Sequence, residues 1–326
     1  MKKEIRILKN TQNSLKVNYL KISYKKILSW INTARIETIP LSISGIIIGS
    51  FYSFYLNKFD IIIFLLAILT AISFQVLSNF ANDYGDGILG TDDNRIGPKR
   101  SIASGEISPS ELKNGIIINI FISISLSYFL IKYSFGTNYY LISVFLLLSI
   151  LSVVAAIKYT IGKTPYGYKG LGDIFVFIFF GLISVMGSSF LFTQDFDFKI
   201  LLMAISLGLL CVGVLNLNNI RDIENDFKMN KRTLATRLGF EYSKFYHYLL
   251  ISISIIFTII WSLDFPFSYG HLLIFISLAP LLVHIYNVRM ASNSVAFKPL
   301  LKQLAFSTFL YSILIAFFLV NESNIF

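Results

Sequence analysis

Apolar stretches of about 18–22 residues recur from residue 36 onward, separated by polar connections. A helix rises about 1.5 Å per residue, so each stretch is long enough to cross a hydrocarbon core of roughly 30 Å. The pattern predicts nine helices, over 36–56, 60–81, 113–132, 139–157, 172–192, 199–218, 246–263, 270–288 and 303–320. The expected fold is all-α, a polytopic membrane bundle of about nine transmembrane helices. Residues 1–35 break the pattern. They carry nine basic residues, among them Lys2, Lys3, Lys25, Lys26 and Arg35, and no apolar run long enough for a signal-peptide core. They read as a basic cytoplasmic segment on the membrane surface, leaving 36–326 as the transmembrane domain.

Composition agrees with the pattern. Of 326 residues, 55% are hydrophobic and only 14% charged, about half the charged share of a soluble globular chain. A charge inside hydrocarbon costs at least about 2.5–3.5 kcal/mol, so the positions of the few charged residues carry information. The amino-terminal segment and the connections after helices 2, 4, 6 and 8 hold 25 of the 28 Lys and Arg, against Lys58, Lys132 and Lys199 elsewhere. Basic residues stay on the cytoplasmic side during insertion, so the amino terminus is expected in the cytoplasm and the protein in the cytoplasmic (inner) membrane. The net charge of +10 has no soluble domain to present it, which favours anionic lipid or an anionic substrate over nucleic acid as its partner. A single cysteine, Cys211, excludes an internal disulfide and any Cys-rich metal site. His247, His271 and His284 form no HExxH and read as packing or interfacial residues.

Seven of the 18 acidic residues gather in two clusters about 139 residues apart, each following an even-numbered helix. That spacing hints at two pseudo-repeats of about four helices plus a ninth. In the first cluster Asn79, Asn82, Asp83 and Asp86 fall at i, i+3, i+4 and i+7, followed by Asp92 and Asp93. If helix 2 continues through them, the first four share one face. In the second, Asn218, Asp222 and Asp226 fall at i, i+4 and i+8, with Glu224 between. Carboxylates stacked on one face repel one another and call for cations. Hard oxygen ligands of this kind suit Mg²⁺, which keeps waters and is commonly completed by substrate phosphates. Two such faces could hold ions bridging a diphosphate. Arg95, Lys99, Arg100, Arg221, Lys231, Arg232 and Arg237 flank them and could take the remaining phosphate oxygens. Ordinary solvated loop charge is the bland reading, and it leaves the helical spacing and the duplication unexplained. A calcium loop fails because aligning Gly87 with its turn glycine puts Tyr84 at a ligand position. An ion-coupled transporter would hold its carboxylates at midmembrane, whereas these sit at helix ends.

These motifs resemble the UbiA superfamily of membrane prenyltransferases, whose members carry an NDxxDxxxD-type motif after the second helix and DxxxD after the sixth. The resemblance covers nearly the whole chain after about residue 28 and is most specific over Asn79 to Pro98, Tyr159 to Asp173 and Asn218 to Gly239. Within the superfamily the motifs look like the branch acting on 1,4-dihydroxy-2-naphthoate. The family's third acid of the first motif is expected where this chain has Gly90; the nearest acids are Asp92 and Asp93, a longer spacing that the naphthoate branch shares. Asp173 stands where many relatives have glutamate.

The resemblance implies a cytoplasmic-side active site. Two Mg²⁺, held by Asn82, Asp83 and Asp86 on one side and Asp222 and Asp226 on the other, would bridge the diphosphate of a polyprenyl diphosphate. It implies prenyl transfer to 1,4-dihydroxy-2-naphthoate with loss of CO₂ and diphosphate, giving demethylmenaquinone after oxidation. Another acceptor such as 4-hydroxybenzoate is the alternative. Arg35, Lys158 and Tyr159 become candidates for binding acceptor or diphosphate, beside Asn79 and Asn218. Arg35 could equally be a positive-inside anchor. Asp173 could orient or deprotonate the acceptor, or pair with Lys169 or Arg221.

Overall fold

The computed structural model describes residues 25–90 and 100–323. Among them are nine helices long and apolar enough to span a membrane: α1 Lys25–Tyr55, α2 Ile61–Leu89, α3 Pro109–Phe135, α4 Tyr139–Lys158, α5 Gly172–Thr193, α6 Phe198–Arg221, α7 Phe240–Ser262, α8 His271–Met290 and α9 Ser294–Ser323. No strand occurs among the described residues. This is a multi-pass membrane protein with an all-α fold. Helix α6 is the most buried of the nine and α4 the least. Packing follows accordingly: α6 contacts α5, α7 and α9, while α9 returns to α1 and closes the bundle.

Local chemistry sets the helix limits. Asp60 caps α2 by accepting from the Ile62 and Ile63 amides, and Ser108 with Glu111 forms a capping box at the start of α3. At α5 the backbone widens into a π-helical stretch, Phe177–Gly187. There Gly181 meets Gly208 of α6 so closely that a Cβ on Gly181 would lie 2.6 Å from the Ala204 carbonyl oxygen. Only glycine permits that approach, and it brings the start of α5 against the end of α6.

Lipid cannot satisfy polar groups, so those inside the bundle pair with one another. The Ser206 hydroxyl bonds to Ser254 (2.7 Å), Thr258 (2.7 Å) and Tyr311 (3.1 Å). His247 and His284, distant in sequence, meet through their Nε2 atoms at 3.0 Å, as packing groups in the core.

The predicted spans hold in number and order, and the first begins earlier than expected. Residues 25–34, within the basic segment, are helical. The chain then breaks at Arg35, whose φ of 51° and ψ of 61° are left-handed, before the main part of α1 resumes at Ile39. This arm was concealed by its Lys25 and Lys26. Its inner face carries Ser29, Trp30 and Thr33, with both hydroxyl residues 3% exposed.

Candidate active site

Helix α2 runs without interruption through the first acidic cluster to Leu89, so Asn79, Asn82, Asp83 and Asp86 do share one face. Asp83 and Asp86 are buried and Asn82 half-buried. Asp83 Oδ2 accepts from the Ser101 amide at 3.1 Å, and Arg100 Nε lies 3.9 Å from Oδ1. Asp86 Oδ1 accepts the Tyr168 hydroxyl at 2.6 Å. Asn82 Oδ1 accepts from Thr160 at 3.3 Å. The Asn79 amide donates to the Ala34 carbonyl (2.8 Å) and Thr38 (3.1 Å), fastening α2 to the bend in α1.

The second cluster is nearly continuous with α6. The Asp222 amide donates to Asn218 O at 3.1 Å and the Asp226 amide to Asp222 O at 2.8 Å, which keeps the three side chains in a row across the start of the short helix Ile223–Lys228. Arg221 grips Asp222 with two bonds, Nε to Oδ1 at 2.8 Å and Nη2 to Oδ2 at 2.6 Å, and reaches Asn218 Oδ1 at 2.8 Å. Asp222 and Asp226 are both buried.

The connection after α4 joins the two clusters. Lys231 Nζ lies 3.9 Å from Asp86 Oδ1 and 4.9 Å from the centre of the Tyr168 ring, and the Tyr168 carbonyl accepts the Arg232 amide at 3.1 Å. Tyr159 follows α4 directly, its ring against Tyr166 at 5.3 Å. Burial, together with the negative charges of Asp86, Asp173 and Asp226, raises its phenol above the ordinary tyrosine range. The hydroxyl therefore stays protonated at neutral pH and available as a donor.

Asp173 Oδ2 accepts the Tyr246 hydroxyl at 3.1 Å, while Arg221 is engaged with its own neighbour Asp222. The half-buried Arg35 is among the charges acting on Asp83. Lys158 is exposed, its Nζ over Gly162, and is not brought into the group. Arg232 is also exposed, its side chain turned to Asn230 at 3.4 Å. Arg95, Lys99, Asp92 and Asp93 lie outside the described residues. Sequence reasoning missed Ser101, Tyr168 and Tyr246 as partners of the acids. Tyr168 does fall in the stretch singled out before Asp173, whereas nothing local marks the other two.

A model of the UbiA prenyltransferase family matches residues 42–313. The chain belongs to this family. It is 41% identical to 1,4-dihydroxy-2-naphthoate octaprenyltransferase of Haemophilus influenzae, over 90% of this chain and 96% of that one. It is 39% identical to the Escherichia coli protein of the same name, over 84% and 89% respectively. A solved UbiA homologue from Archaeoglobus fulgidus bound to GPP and Mg²⁺ shares the fold at a TM-score of 0.63 and 14% identity, covering 88% of this chain and 99% of that chain. In a UbiA family member, two acid-bearing helix ends joined through Tyr168 and Lys231 form the candidate site of prenyl transfer.

Proposed function

We propose that this chain transfers a polyprenyl group from a polyprenyl diphosphate to 1,4-dihydroxy-2-naphthoate, releasing diphosphate and CO₂ on the route to demethylmenaquinone. Its place is the cytoplasmic membrane, with the amino terminus and the site facing the cytoplasm, in keeping with the basic residues gathered in the even-numbered connections. The observation that carries the reading is the link between the two acidic helix ends, with Lys231 reaching from the second cluster's connection to within 3.9 Å of Asp86 of the first, which also holds the Tyr168 hydroxyl at 2.6 Å. The acceptor rests on the names of the relatives at 41% and 39% identity.

The donor set fits Mg²⁺. Asn82, Asp83 and Asp86 at one helix end and Asp222 and Asp226 at the other offer only oxygen. Among the described residues no three His, Cys, Asp or Glu side chains converge on a ready-made cage. That suits an ion completed by water and phosphate oxygens, and we assign one ion to each cluster. When bound, Mg²⁺ neutralises diphosphate charge and stabilises the leaving group.

The chain's own residues do the rest. Arg100, Lys231 and Arg221 each lie against one carboxylate and have guanidinium or ammonium donors to turn to phosphate oxygens, helped by Arg95, Lys99 and Arg232. Negative charge grows on the diphosphate as the allylic C–O bond breaks, and fixed cations stabilise that charge more than the ground state. Tyr159 donates its phenol proton to an anionic oxygen. Asp173, held by Tyr246, orients the acceptor so that its carboxylate-bearing ring carbon attacks the allylic carbon, a C–C bond replacing the C–O bond before CO₂ leaves.

Isolated membranes supplied with radiolabelled prenyl diphosphate test this. Label should pass to 1,4-dihydroxy-2-naphthoate and not to 4-hydroxybenzoate, stop on chelation by EDTA and resume with Mg²⁺. Asp83→Ala and Asp222→Ala should each lower turnover by about 10³-fold or more, the scale of losing a group that stabilises charge in the transition state, while membrane insertion is unchanged. Near-normal turnover in either variant would remove the two-cluster site, and product with 4-hydroxybenzoate alone would remove the acceptor.

A further inference from the structure

The arm at residues 25–34 makes contacts that the reaction just described does not use. Lys26 Nζ donates to the Glu106 carbonyl at 3.1 Å and to Glu111 at 2.8 Å. Ser29 donates to the Glu106 carboxylate at 2.8 Å. The Thr33 and Ser101 hydroxyls are hydrogen-bonded to each other. Trp30 sits edge-on to Phe80 of α2 at 5.4 Å and fills a notch over Gly115, where a Cβ would come within 2.7 Å of the indole ring. A residue larger than glycine at 115 would push the indole out.

The polar contacts all reach the stretch from Ser101 to the first turn of α3. Ser101 is the residue whose amide holds Asp83 Oδ2 at 3.1 Å. Thr33 is thus one residue removed from the first cluster. Its hydroxyl already has a partner inside the arm, the Ser29 carbonyl at 2.7 Å, so the bond to Ser101 is not needed to satisfy a buried group. Ser29, Thr33 and Ser101 are all buried, which excludes water as a competitor for these bonds.

We propose that the arm is a positioning element for Asp83: Trp30 seats the arm on α2 and α3, Thr33 of the seated arm fixes the Arg100–Ser101 turn, and the turn fixes the carboxylate for loading of Mg²⁺ and diphosphate. The inference rests on the site reading above. No residue of the arm touches the reacting atoms.

The test uses the full chain, purified in detergent, with thermal stabilisation by Mg²⁺ plus a non-hydrolysable prenyl diphosphate analogue as the readout beside activity. Thr33→Val keeps the shape and removes the hydroxyl. It should raise the half-saturating Mg²⁺ concentration about fivefold, the scale of one lost hydrogen bond, and shrink the ligand-induced stabilisation, with the naphthoate KM and the ligand-free melting midpoint unchanged. Thr33→Ser should restore both readouts. Trp30→Ala, which empties the notch, should raise the Mg²⁺ requirement in the same direction. Wild-type Mg²⁺ dependence in Thr33→Val and Trp30→Ala would overturn the proposal, and so would a parallel fall in every kinetic constant together with the ligand-free midpoint. Asp83→Asn separates the two readings: if it binds Mg²⁺ and analogue normally, the site assignment falls and takes the arm's role with it. If Asp83→Asn loses binding while the arm variants are normal, only the arm's role falls.

Discussion

The carboxylates at the end of α2 and those at the end of α6 occupy matching places in the chain, yet they are held in different ways. Asp222 is held from within its own turn by the adjacent Arg221, through two bonds of 2.8 and 2.6 Å. Asp83 and Asp86 are held from far along the chain, by Ser101 and Arg100, by Tyr168 and by Lys231. The second cluster therefore has a partner within its own turn, whereas the partners of the first come from the connections after α2, α4 and α6. Substitutions should separate the two behaviours.

The largest effect is expected from Arg221→Met. It strips a buried carboxylate of its bidentate partner, and breaking a buried pair costs about 3–5 kcal/mol. Thermal unfolding of the purified protein should show a fall of several degrees together with loss of activity. An unchanged midpoint would mean that the second cluster does not support itself.

Tyr168→Phe removes one donor to Asp86. A hydrogen bond to a charged group contributes about 1.5–3 kcal/mol, so kcat/KM for the prenyl diphosphate should fall about tenfold or more with little change in thermal stability. Equal losses of activity and stability would show the first cluster to be as self-contained as the second.

The two clusters were legible in the sequence because helical spacing alone puts Asn82, Asp83 and Asp86 on one face and Asp222 and Asp226 on another. Arg221 was legible for the same reason, as a neighbour in the chain. Tyr168 and Ser101 were not, because they lie 82 and 18 residues from the carboxylates they hold, and only the tertiary fold brings them there. The first helix start was hidden by a similar limit. Hydropathy detects lipid-facing length, whereas 25–34 is amphipathic and packs its hydroxyl face on protein.

The smallest effect is expected from Lys231→Met. Its 3.9 Å approach to Asp86 is long and partly exposed, and exposed pairs contribute about 0–1 kcal/mol. The KM for prenyl diphosphate should rise about threefold to fivefold, with kcat and the melting midpoint unchanged, as measured by initial rates over a range of diphosphate concentrations. A loss matching that of Tyr168→Phe would make Lys231 the principal tie between the clusters.

The left-handed bend at Arg35 changes how the amino terminus should be treated at the bench. Residues ahead of a first transmembrane span are often regarded as dispensable, and they are where purification tags and fusion partners are attached. Here the span proper resumes at Ile39, while the arm before the bend lies over the connection that holds Asp83. A deletion ending at residue 38 would keep the helix from Ile39 onward, but it would remove the Thr33 contact to Ser101, the residue that holds Asp83. Any shortening should leave residue 25 onward intact, and a tag is safer joined ahead of it through a flexible spacer than placed directly against it.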